Sequence, residues 1–169
     1  MPDSSTSPRK ALLYEALIAG SCASLLSTLA LAWAGHRELR SAVAPVNAVS
    51  HWRWGRPALR QRAVTRRHTL LGYAIHHGAS IWWAALHAAA MQRHRLHHEP
   101  AAVLASAAVT SAIACVVDFK CTPERFTPGF EHHLSHRSVA GVYALFAVGL
   151  ALGALAVRGR HAAQGEPSD

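Results

Sequence analysis

The stretch Gly72–His98, GYAIHHGASIWWAALHAAAMQRHRLHH, decides how the rest of the chain is read. It is a membrane-length apolar run with histidines inside it. About 20 residues at 1.5 Å rise cross a hydrocarbon core, so the run is a candidate membrane-spanning helix. Ionisable side chains at that depth are costly and face the protein interior. On a helix His76, Ser80, Trp83 and His87 fall on one face, because their spacings repeat every three or four residues. With the adjacent His77 they form a polar seam within the segment.

Three more apolar runs lie outward from it. The expected spans are 11–34, 70–91, 101–118 and 139–157, between polar tails 1–10 and 158–169 that read as disordered. The fold class that follows is all-α: a polytopic membrane protein built as a four-transmembrane-helix bundle. Mean hydropathy is only +0.12 because the charges crowd into the loops. The run after MPDSSTSPRK is longer than a signal-peptide core and ends in Gly-His-Arg-Glu, so it reads as an uncleaved first span. Three cysteines with no C-x-x-C pair argue against a disulfide framework and a zinc knuckle.

The 169 residues hold 17 Lys and Arg against 9 acids, a net charge of +8. No nucleic-acid motif accompanies this charge, so the partner it points to is a bilayer with anionic headgroups. The first loop concentrates the charge. Its apolar part, SAVAPVNAVSHWRWG, is too short to cross and reads as an interfacial or re-entrant segment. Trp52 and Trp54 are expected at the interface, and Arg53, Arg56, Arg60, Arg66 and Arg67 against headgroups. A solvated loop that merely sets topology is the plainer alternative. Four spans leave Arg9, Lys10, Arg93, Arg95, Arg158 and Arg160 on the side of the termini, against 11 of the 17 on the other. That excess puts loops one and three in the cytoplasm and the termini outside.

Small residues mark expected helix contacts. Ala16, Gly20 and Ser24 repeat every four residues in the first span, and Gly149 and Gly153 form a G-x-x-x-G pair in the last. Such pairs also suit a homo-oligomer or a membrane-protein partner.

Thirteen histidines invite a metal reading. His94, His97 and His98 form H-x-x-H-H; His132, His133 and His136 form H-H-x-x-H. The first resembles one histidine box of membrane di-iron desaturases and hydroxylases. Those enzymes need several boxes, and the four-span topology puts the two clusters on opposite sides of the membrane, where no site can use both. His76 and His87 lie about 16 Å apart along a helix and cannot share an ion. Either is a conceivable haem ligand, but the other spans contain no histidine to complete a pair. Hydrogen bonding across the bundle is the ordinary role for both. No cofactor is expected, with metal or haem as the alternative. Asp118 and Glu131 are candidate proton or ion-pair groups, or simple helix-end acids.

The pieces N47-A-V-S-H-W-R-W-G55, I75-H-H-G-A-S-I-W-W-A84, and Asp118 followed by T127-P-G-F-E-H-H-L-S135 carry a resemblance. Over residues 11–155 the chain is similar to small uncharacterised four-span inner-membrane proteins of proteobacteria. The resemblance implies a bacterial inner-membrane location and no assigned activity. The function expected is non-enzymatic, the binding of a partner or lipid. A histidine-dependent metal or haem oxidoreductase and a small proton-coupled transporter are the alternatives.

Overall fold

A computed structural model describes residues 7–94 and 99–165; among these, every regular element is helical. Four long helices carry the fold: α1 (Pro8–Leu39), α4 (Leu71–His94), α5 (Pro100–Val116) and α6 (His136–Gly165). Two short helices, α2 (Ala44–Val49) and α3 (His51–Trp54), lie between α1 and α4.

Local chemistry sets the ends. Pro8 and Pro100 open α1 and α5 at positions whose N–H would go unused in any case. Ser7 caps α1 by accepting from the Lys10 N–H at 3.4 Å. Arg40, in the left-handed region at φ 58°, closes α1. Thr65 Oγ1 accepts from the His68 N–H at 3.1 Å and starts the wide turn, 66–70, that leads into α4. A second wide turn, 117–121, ends α5 and carries Asp118.

Two expected boundaries change. The N-terminal tail shortens, because the helix already begins at Pro8; residues 1–6 lie outside those described. The stretch 158–165, expected as frayed tail, continues α6, and Arg158 at its start is anchored on α1 by Glu15.

Three helical segments are long and apolar enough to cross a membrane: Pro8–Leu39, Pro100–Cys121 and His136–Gly159. The α4 helix, whose histidines lower its hydropathy, is not among them. It nevertheless packs along α1. A Cβ on Gly20 would come within 2.6 Å of Ile81 Cα, and Ser27 bonds to His76. The α6 helix packs on the other side of α1. A Cβ on Gly149 would fall 2.5 Å from the Cys22 carbonyl oxygen, and one on Gly153 2.5 Å from Ala19 Cα. Small residues therefore let α1 serve as the central helix, with α4 and α6 against it and α5 against α6. Leu13, Leu17, Leu25, Leu104, Val109, Val148 and Leu152 remain exposed on the outside.

The first loop, expected as an interfacial or re-entrant segment, packs its short helix into the protein. All six residues of α2 are buried, and a Cβ on Gly72 of α4 would overlap the Val46 carbonyl. Asn47, fully buried, organises the rest. Its Nδ2 donates to the Gln61 and Ala63 carbonyls, and its Oδ1 accepts from Thr69. Ser50 and His68 bond at 2.9 Å. The third loop closes onto this cap: Trp52 Nε1 donates to the Thr127 carbonyl at 2.8 Å. Glu38, near the end of α1, accepts from the Ser135 N–H and from the hydroxyls of Ser135 and Ser138, tying α1 to the start of α6.

Candidate ligand cavity between the helices

Although consecutive, α4 and α5 touch sparingly, because each packs mainly on another helix. The gap between them holds a cavity of about 300 Å³. Ile75, His76, Ala79, Ser80, Trp82 and Trp83 of α4, Ala114 of α5, and Val117 and Asp118 of the turn that ends α5 form its walls. Ser27 of α1 and Val142, Tyr143 and Phe146 of α6 form its floor, and Trp52, Phe126, Pro128 and Phe130 of the two loops form its roof. Trp82 and Phe126, 56% and 46% exposed, mark its mouth.

Two polar pairs enter this apolar space. Ser27 Oγ lies 2.8 Å from the Ala23 carbonyl, one turn back, and 2.9 Å from His76 Nε2. With the serine proton on that carbonyl, the hydroxyl oxygen accepts from His76 Nε2–H, which fixes the tautomer. Tyr143 Oη donates to Asp118 Oδ2 at 2.6 Å. The Tyr143 ring is held edge-on by Phe119, with centroids 5.8 Å apart.

The expected seam divides along α4. His76, Ser80 and Trp83 line the cavity. Ser80 Oγ donates to the His76 carbonyl at 2.8 Å. His77 points elsewhere and stacks on Tyr73 with centroids 5.6 Å apart. His87, 1% exposed, lies outside the cavity, and neither of its ring nitrogens has a hydrogen-bond partner of good geometry among the described residues. Asp118 reaches the cavity, whereas Glu131 approaches His132 at 3.7 Å.

Trp52, expected at the headgroups, turns inward because Thr127 holds its indole N–H and Phe126 its ring edge. The Trp54 ring lies between Arg53 and Arg67, at 4.4 and 3.9 Å from their guanidinium carbons. Arg53, Arg56, Arg60, Arg66 and Arg67 are all exposed on the cap.

Among the described residues no three His, Cys, Asp or Glu side chains group as a metal site. His132 ends a short helical turn, His133 follows it and His136 opens α6, so the three do not stack on one helix face. His94 is exposed at the last turn of α4, and His97 and His98 lie outside the described residues. Sequence reasoning passed over Ser27, Tyr143, Phe126, Phe130 and Phe146. Tyr143 and Phe146 are three apart on α6, a usable signal; the loop aromatics had none.

No protein-family model, curated protein or solved structure matches this chain.

Proposed function

We propose that the chain is a four-span inner-membrane protein that binds a small lipophilic molecule taken from the bilayer, without transforming it. The cavity between α4 and α5 carries the reading. Its size falls at the lower end of small-molecule sites, its lining is apolar with a few placed polar groups, and its mouth lies at Trp82 on the flank of the bundle. The fourth span is α4. Its length and its packing along α1 support placing it at the same depth as the three more apolar helices. Its polar residues Ser80 and His87 are buried, as a span requires. The basic cap supports a cytoplasmic position for loops one and three, periplasmic termini, and contact of the exposed arginines with anionic headgroups. The bacterial inner membrane rests on the resemblance described above.

Native mass spectrometry of the protein released from lipid nanodiscs tests the reading. One lipophilic molecule per chain is the expected adduct. Ala79→Phe, which puts a ring into the cavity, removes it while leaving the melting temperature near that of the parent. Equal adducts on both proteins would count against the cavity as the site.

A further inference from the structure

The cavity is electron-rich on every side. Seven of the chain's twelve Phe, Trp and Tyr side chains line it. Among the described residues Asp118 is its one carboxylate and no Lys or Arg lines it, in a chain of net charge +8. The four hydroxyls along its wall have protein acceptors within reach: Ser27 for the Ala23 carbonyl, Ser80 for the His76 carbonyl, Thr122 for the Val117 carbonyl and Tyr143 for Asp118. With those protons committed, the four hydroxyls offer an occupant their lone pairs, beside the faces of the aromatic rings. A carbonyl-bearing or anionic guest needs donors that these groups have already spent.

Asp118 sharpens the point. Tyr143 occupies Oδ2, and a carboxylate has lone pairs on both oxygens. Among the described residues no basic side chain forms an ion pair with it. Asp118 is half-buried, and in its ionised form a cationic occupant would supply the partner that no basic side chain among the described residues provides.

We infer that this cavity selects a lipophilic organic cation, an alkylated or aryl ammonium whose charge meets Asp118 while its apolar body lies against the aromatic walls. Aromatic rings attract such cations electrostatically, most strongly where water is excluded. The inference rests on the cavity being a ligand site and specifies the class of ligand.

The test compares three probes of similar shape on the full chain in detergent, by calorimetry and tryptophan fluorescence: benzyltrimethylammonium, its uncharged carbon isostere neopentylbenzene, and benzenesulfonate. The cation is expected to bind at least about tenfold tighter than the neutral isostere, and the anion not at all. Asp118→Asn should abolish that preference, bringing the cation and the neutral isostere to equal affinity. Equal binding of cation and isostere to the parent protein overturns the inference and leaves the cavity as a neutral ligand site. A preference that survives Asp118→Asn overturns it as well. Binding of none of the three removes both the inference and the cavity reading. The three-probe comparison on the parent protein stands even where Asp118→Asn fails to fold.

Discussion

Arg158 Nη2 of α6 donates to Glu15 Oε1 of α1 at 2.6 Å, closing a separation of 143 residues. Both side chains are largely buried, at 15% and 9% exposure. The bond pins the end of the bundle opposite the loop cap, and it explains why α6 continues where a frayed tail is expected. Removing one partner of a buried pair leaves the other charge without compensation, at a cost of about 3 kcal/mol. Arg158→Met is therefore expected to lower the melting temperature in detergent clearly, and adding Glu15→Gln to recover much of the loss. Two single changes whose effects simply add would show that the pair is not coupled.

Ser27 and His76 meet between α1 and α4 at the cavity floor. Hydrogen bonds between membrane helices contribute about 0.6 kcal/mol on average, with a maximum near 1.7. A double-mutant cycle with Ser27→Ala and His76→Phe should give a coupling energy within that range. A coupling of zero would mean that the contact does not stabilise the bundle.

Gly149 and Gly153 permit the close approach of α6 to α1, whereas a Cβ on Gly159 meets nothing within 4 Å. Leucine at either of the first two positions should lower the melting temperature and shift the elution of the purified protein. Gly159→Ala should be neutral or slightly stabilising, since alanine favours a helix over glycine by about 1 kcal/mol. Tolerance of leucine at both contact glycines would contradict the packing of α6 on α1.

Membrane orientation is testable at two exposed sites. Val64 in the first loop is 75% exposed, and Gln92 lies exposed at the far end of α4. After removal of Cys22, Cys115 and Cys121, a single cysteine at Gln92 should react with an impermeant maleimide on intact spheroplasts, and one at Val64 only after lysis. The reverse pattern would invert the topology. Ser50, fully buried in the cap, would be an uninformative probe.

The exposed arginines of the cap should hold anionic lipid. Each basic side chain near an anionic surface contributes about 1 kcal/mol. Replacing Arg60, Arg66 and Arg67 together by Gln should reduce phosphatidylglycerol retained on the purified protein, and added salt should reduce it in the parent. The three lie outside the cavity, so ligand uptake there should be unaffected. Equal retention by the two proteins would place the lipid contact elsewhere.

Helix content, the apolar runs and the start of α5 were legible because their causes are local. Pro100 acts on its own turn, and apolar length is read directly along the chain. The small-residue rows around Gly20 and before Gly153 were legible for a related reason: spacing on one helix already puts them on one face. The seam on α4 was half legible. Its periodicity groups His76 with His87, yet the α4 contacts leave one in a cavity and bury the other elsewhere.

The partnerships lay beyond such reasoning. In a water-soluble bundle the apolar stripe of each helix marks the side that turns inward. In lipid the outside is as apolar as the inside, so hydrophobicity does not specify the rotation of a helix about its axis. That rotation, and the register of α1 against α4 and α6, bring Ser27 to His76 and Glu15 to Arg158. The placement of α5 against α6 likewise brings Asp118 to Tyr143. The inward turn of Trp52 has the same origin: its indole looks interfacial in a loop rich in arginine, but the third loop supplies the Thr127 carbonyl from 75 residues away. The cavity exists because α4 and α5, neighbours in the chain, each pack on a different helix, an outcome of assembly that neither segment carries alone.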